Sequence, residues 1–446
     1  MQKITRLKQN KDSNIIANII VSFILKFLGL GLSYLLVPIT IGYVNNEQYG
    51  IWMTLLSIIS WISFSDIGLG NGLRNKLTES LAQKQLEKSR EYISTAYAAM
   101  TIIVFILLVV LMFIIPFLNW QNIFNTVTIS NSKLVNLVVV VLVFFLGNFI
   151  LSLYSQLYYA KQQSAATGIG QLLVNIISVL SILILKRITS GDIVYLGFSY
   201  GVSMILPSIF LTCLFFKKNA ELRPALAYVR LNKFKEIIGL GVKFFIIQIA
   251  VVVYFGTNNI IIAQVCGPNE VTNYNVVYKL FSLVNTGHIL LITPLWSAYT
   301  EAYGRGDIKW IRSTLNKTSL LLIPIGLGLL VMTVFSDIIF KIWLGNNNIE
   351  INKYLIVTMA ISTFITVFSN TFVYFLNGVN EIKLQMYNCV IVSIINIPLC
   401  IYFSKYLAMG STGIMLAQIL TAIPFSVIAP LQTYHILRKS EEVKSN

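Results

Sequence analysis

Charge is scarce in this 446-residue sequence. Only 11% of its residues are charged, and 17 are Asp or Glu, against roughly 25% charged in an average soluble domain. So little charge cannot clothe a soluble surface, which excludes a soluble enzyme of one to three domains. Histidine is scarcer still. His288 and His435 stand alone, too few for a histidine metal cluster. Cys213, Cys266, Cys389 and Cys400 lie far apart, in or beside apolar runs, with no CxxC pair. That excludes a disulfide framework or a zinc site and leaves inert thiols. The sequence has no Walker A loop, GxSxG elbow or HExxH motif, so ATP hydrolysis and covalent catalysis have no carrier here. No cofactor or metal is expected.

What the chain has is apolar length. It is 56% hydrophobic, with a mean hydropathy of +0.76. A helix needs about 20 residues to cross a hydrocarbon core of roughly 30 Å. Uncharged runs predict twelve spans, near 15–40, 50–72, 93–118, 134–160, 166–186, 193–216, 237–265, 275–300, 316–343, 354–379, 384–404 and 411–434. The basic leader MQKITRLKQNKDSN precedes a run too long for a signal-peptide core, with no small-residue cleavage site. It reads as a retained cytoplasmic tail before the first span.

Lys and Arg number 33, and the net charge is +16. In a soluble protein that excess would indicate nucleic acid. Here it marks topology, because Lys and Arg collect in short cytoplasmic loops. With the N-terminus inside, 24 of the 33 fall in cytoplasmic segments, six fall outside, and Lys26, Lys243 and Lys279 lie in or at the edge of spans. Both termini are therefore expected in the cytoplasm, with no nucleic-acid partner.

The longest central loop, 217–236, divides the chain into a six-helix bundle at 1–216 and another at 237–446. Segments on either side match. Asn45-Asn46-Glu47 resembles Pro268-Asn269-Glu270 at an offset of 223. Thr78-Glu79-Ser80 resembles Thr300-Glu301-Ala302, and Arg90 corresponds to Arg312, both at 222. Six spans per half, each half starting inside, predict a parallel pseudo-two-fold repeat with a binding site between the halves.

A charge at the bilayer centre costs about 2.5–3.5 kcal/mol or more, so it should face protein or water. Lys26 sits mid-span with Ser22, Gly29 and Ser33 at helical spacing. This stripe fits an aqueous cavity; the alternative is a Lys snorkelling to the interface. Asp66, Gly70 and Arg74 share one helix face. They read either as a rearranging ion pair or coupling-ion site, or as a structural pair at a helix end. The eighth span carries Asn275, Lys279, Ser282, Thr286, Thr293, Ser297 and Glu301 along one side, near His288. That stripe is a water-lined path or a set of interhelical hydrogen bonds. The seventh span adds Lys243, Gln248, Asn258 and Asn259. Cations outnumber acids among these residues, and a cationic cavity attracts anions, phosphate above all. Lys26, Arg74, Lys243, Lys279, Gln248, Asn258, Asn259 and Ser282 are thus substrate-binding candidates. Asp66, His288 and Glu301 are candidates for ion coupling or gating.

The stretches Tyr43-Val-Asn-Asn-Glu-Gln-Tyr-Gly50-Ile-Trp and Phe64-Ser-Asp66-Ile-Gly-Leu-Gly70-Asn-Gly-Leu-Arg74-Asn carry a resemblance. Their counterparts are Gly267-Pro-Asn-Glu-Val-Thr-Asn-Tyr274 and Pro294-Leu-Trp-Ser-Ala-Tyr-Thr-Glu301-Ala. Over essentially its whole length the chain resembles the polysaccharide and O-antigen flippases of the multidrug/oligosaccharidyl-lipid/polysaccharide (MOP) superfamily. The resemblance implies an all-α integral membrane protein with a MATE-like fold. Its two six-helix bundles would face a central cavity and work by alternating access. It implies an undecaprenyl-pyrophosphate-linked oligosaccharide as cargo, flipped to the outer leaflet of the bacterial plasma membrane, and coupling to a cation gradient. A polysaccharide polymerase and a chain-length regulator are candidate partners beside the lipid bilayer. Competing readings are a cation-coupled multidrug antiporter of the same fold, a membrane-embedded polymerase or glycosyltransferase, and a structural scaffold. Lys26 at mid-helix counts against the first. The external loop 119–133 has no acid, which counts against the second. The interior polar stripes count against the third.

Overall fold

The computed structural model describes residues 24–25, 27–62, 68–161, 163–345, 351–379, 381 and 383–445. Their regular structure is entirely helical. Inside hydrocarbon a backbone must satisfy its own N–H and C=O groups, and a helix does so within one segment. The first half contains α1 (Phe27–Val44), α2 (Asn46–Ile62), α3 (Leu69–Ala82), α4 (Leu86–Ile114), α5 (Trp120–Phe124), α6 (Asn131–Leu151), α7 (Leu153–Ala160), α8 (Ser164–Ile188) and α9 (Ile193–Lys218). The second contains α10 (Leu231–Cys266), α11 (Pro268–Gly304), α12 (Ile308–Leu320), α13 (Leu322–Val334), α14 (Ser336–Leu344), α15 (Lys353–Gly378), α16 (Lys383–Ile401) and α17 (Gly410–Ser445). Ten stretches among the described residues are long and apolar enough to cross a membrane, in keeping with the twelve expected spans. The chain is a multi-pass membrane protein.

The helices outrun the apolar runs. The third span begins at Leu86 rather than 93, and the eighth at Pro268 rather than 275. Proline is pre-set for a first helical turn, and Glu270 beside it favours the positive end of the dipole. The span near 134–160 breaks at Ser152, and that near 316–343 breaks at Leu321 and Phe335. Asp192, Asp307 and Asn352 cap α9, α12 and α15 by accepting from Val194 N–H (2.7 Å), Trp310 N–H (3.1 Å) and Tyr354 N–H (2.9 Å).

The chain forms two compact units, 1–249 and 250–446. In the first, α6 packs on α9 and α3 on α4 and α7. Gly197 faces Val141 and Leu137, where a Cβ would come within 2.8 and 3.0 Å, so the small residue lets α6 and α9 approach. A 2.7 Å hydrogen bond from Ser208 to Asn148 ties the same pair. The polar stretch 217–236 docks on α4. Ala225 and Arg230 N–H groups donate to Ser94 (3.1 Å) and Thr95 (3.0 Å), and Arg90 lies 4.1 Å from the Tyr228 ring centre. In the second unit, α15 packs on α11 and α17 around Tyr299, Ile311, Phe372, Phe375 and Leu437. Phe105 and Phe113 of α4, Leu330 and Val334 of α13, and Ile391 and Ile394 of α16 are exposed. Apolar faces of this extent are covered by lipid.

Helix boundaries recur at a constant spacing. α2 and α11 begin at 46 and 268, α4 and α12 at 86 and 308, α6 and α15 at 131 and 353; α3 and α11 end at 82 and 304. Each pair is 222 residues apart. The turns before α2 and α11 share a left-handed residue, Asn45 (φ 100°) and Gly267 (φ 87°). The halves also differ at Gly68. Gly68 adopts φ 74° at the start of α3, whereas its counterpart Leu290 lies within continuous α11.

Candidate functional site

Lys26 and Asp66 lie outside the described residues. Lys243 and Gln248 occupy helical positions in α10, and Glu301 one in α11; their side chains also lie outside the described part. The other candidates have defined surroundings. In the first unit, Arg74 on α3 holds its guanidinium 4.7 Å from the ring centre of Tyr159 on α7. The Tyr159 hydroxyl in turn accepts from Thr167 of α8 at 3.2 Å. The guanidinium face is thus occupied by an aromatic ring, and among the described residues its N–H groups have no hydrogen-bond acceptor, which suits them to an anion.

In the second unit, α10 and α11 are stapled by amides across the Gly267 turn. Buried Asn258 donates to the Tyr274 hydroxyl at 3.0 Å. Asn275 donates to Asn259 at 2.9 Å and to the Val271 carbonyl at 2.7 Å. These contacts make Asn258, Asn259 and Asn275 interhelical ties in this structure. Ser282 donates to the Lys279 carbonyl at 2.7 Å, one turn back on its own helix. Lys279 is half-buried. His288 is 3% exposed, and its Nε2 lies 3.2 Å from the Thr371 hydroxyl of α15. Its Nδ1 has no hydrogen-bond partner among the described residues.

The second unit also holds a cavity of about 200 Å³ that charge patterning does not reveal. Tyr254 of α10, Thr366 and Asn370 of α15, Gln385 and Asn388 of α16 and Phe425 of α17 are among its walls. No Asp, Glu, Lys or Arg lines it among the described residues. The only trace of it in sequence is helical spacing: Thr366 and Asn370 are four apart, Gln385 and Asn388 three. Two acids were also missed. Glu47 and Glu270, each in the first turn of its helix, accept hydroxyl hydrogen bonds, Glu47 from Thr126 and Thr128 and Glu270 from Ser411. Their signal was the repeated Asn-Glu pair.

Long helices with exposed apolar faces around buried polar side chains make up this membrane fold. Solved structures share it. A multidrug-resistance MATE family transporter of the MOP superfamily, in an inward-facing conformation, aligns with a TM-score of 0.77 at 13% identity, covering 95% of this chain and 99% of that one. An outward-facing structure of such a transporter aligns with a TM-score of 0.63 at 13% identity, covering 95% and 96%. At the level of sequence the chain belongs to the polysaccharide biosynthesis protein family, whose model matches residues 15–298. The MatE family model matches residues 244–402. A Salmonella typhi protein named as an O-antigen transporter is 23% identical, over 81% of this chain and 83% of its own. A Yersinia pseudotuberculosis protein named as an O-antigen export protein is 18% identical, over 80% and 82%.

Proposed function

We propose that this protein is a carrier, not an enzyme, that flips an undecaprenyl-pyrophosphate-linked oligosaccharide across the bacterial plasma membrane by alternating access. The observation that carries the reading is the pairing of a transporter fold with relatives named for O-antigen transport, matched along four-fifths of both chains. The cargo moves from the cytoplasmic to the outer leaflet. Both termini lie in the cytoplasm, as the skew of Lys and Arg supports. Lys26, Arg74, Lys243 and Lys279 meet the pyrophosphate, because guanidinium and ammonium groups neutralise its charge. Asp66, His288 and Glu301 serve ion coupling or gating, with a cation gradient as the source of work.

The test is deletion of the gene, followed by leaflet-specific labelling of lipid-linked oligosaccharide. Accumulation on the cytoplasmic side, with loss of surface polysaccharide, is the expected result. Unchanged surface polysaccharide would sink the reading. The MatE match over 244–402 favours one other reading, a cation-coupled multidrug antiporter. In that case the deletion strain gains drug sensitivity and keeps its polysaccharide.

A further inference from the structure

We infer that the neutral cavity of the second unit is a saccharide subsite that seats one sugar residue of the cargo. The inference rests on the proposed function and adds where the glycan, as opposed to the pyrophosphate, is read. Four helices meet at the cavity. Thr366 and Asn370 stand one turn apart on α15, and Gln385 and Asn388 one turn apart on α16, with Tyr254 and Phe425 contributed by α10 and α17. A carboxamide offers both donors and an acceptor. A sugar hydroxyl likewise donates and accepts, so amide-rich walls match it group for group. Phe425 and Tyr254 supply apolar ring surface for the C–H face of a pyranose.

The same walls reject other ligands. A pyrophosphate would enter with no cation to neutralise it, and a buried, unpaired charge is very costly. A purely apolar ligand would leave the carboxamides of Asn370 and Asn388, which line the cavity, without a partner, and burying an unpaired amide is costly. Size narrows it further. About 200 Å³ is below the roughly 300–1,000 Å³ of pockets that enclose a drug-sized ligand. It suits one sugar ring and not a whole repeat unit. Ordered water is the competing occupant, because water also satisfies lone amides.

The test uses the full-length chain in lipid nanodiscs. Its probes are undecaprenyl pyrophosphate and the same lipid bearing a single N-acetylglucosamine, galactose or glucose. At least one sugar-bearing lipid should bind about tenfold more tightly than the sugar-free lipid, the gain expected from one or two neutral hydrogen bonds. Asn370→Leu, Asn388→Leu and Gln385→Met should each shrink that gain and leave the affinity for the sugar-free lipid unchanged. If no sugar improves binding in the native protein, the cavity holds water only and the subsite is overturned, while the flippase reading stands. If the three variants weaken both kinds of lipid alike, the amides are structural and the subsite is again overturned. If the native protein binds none of the four lipids, the proposed function fails as well.

Discussion

Glu47 accepts a hydrogen bond from the hydroxyl of Thr126 at 2.5 Å, joining the first turn of α2 to the loop between α5 and α6. Thr128 adds a second bond to the same oxygen at 2.7 Å. In the other unit Glu270 takes the same role, accepting from Ser411 at the start of α17. Each carboxylate also sits where the helix dipole favours negative charge. Hydrogen bonds to a charged group contribute roughly 1.5–3 kcal/mol. Glu47→Ala should therefore lower unfolding stability by about that amount. Glu47→Gln, which keeps an acceptor oxygen, should cost less. Thermal melts of the detergent-solubilised variants decide it, and an unchanged melting temperature for Glu47→Ala would remove the latch.

Arg74 stacked on Tyr159 at 4.7 Å ties a candidate anion ligand to a second helix. Arg74 is exposed, where such a cation–π contact contributes about 0.5–1 kcal/mol and biases the side chain toward Tyr159. Arg74→Ala should reduce surface polysaccharide without loss of the protein from the membrane, and so should Lys26→Ala. Tyr159→Leu should give a milder version of the Arg74 defect, because it frees the guanidinium and leaves its charge. The measurement is surface polysaccharide normalised to membrane protein. Wild-type levels in both the Lys26 and Arg74 variants would refute their place at the pyrophosphate.

Glu236 ends the stretch 217–236 that docks on the first unit. Hydrogen bonds from Lys233 (2.8 Å) and then from Tyr92 hold its carboxyl below the ordinary value of 4.5. A carboxyl depressed in this way stabilises the fold above its ordinary value, and that contribution disappears as pH falls through the lowered value. The melting temperature should therefore drop on acidification below about 4.5. Glu236→Gln should flatten that part of the profile, and Tyr92→Phe should shrink it. A Glu236→Gln profile that overlays the native one would show that this carboxylate plays no part.

The membrane-spanning architecture was legible because hydrocarbon leaves the backbone one economical choice, and twenty uncharged residues announce it. The ends of helices were not. Asn269, Glu270, Thr272 and Asn273 fall below any hydropathy threshold, yet they form the first turns of α11. Hydropathy marks the hydrocarbon, whereas helix ends follow caps and turns. The candidate site divides in the same way. Cations and acids stand out in an apolar chain, so Arg74 and His288 could be singled out one by one. The neutral cavity could not, because Thr366, Asn370, Gln385 and Asn388 gain meaning only when α15 and α16 bring them to one place. Asn258, Asn259 and Asn275 stood out as polar residues on apolar helices, and one another, Tyr274 and the Val271 carbonyl are among their partners.

Gly68 is one place where the two halves differ. Its φ of 74° places it in the left-handed region, which costs a residue with a Cβ roughly 1–2 kcal/mol. The equivalent Leu290 stays within an unbroken helix, so the interruption belongs to the first half alone. It lies two residues from Asp66 and six from Arg74 in sequence, which gives the break a place beside candidate functional groups. Gly68→Ala should either destabilise the first unit by about 1–2 kcal/mol or draw the backbone toward continuous helix and displace Arg74. Both routes lower transport, and a melting curve separates them: the first shifts it, the second leaves it in place. The matching substitution Leu290→Ala keeps its helical backbone and should leave the Arg74-dependent step untouched. Full transport and an unshifted melt in Gly68→Ala would mean that the left-handed conformation at this position is dispensable.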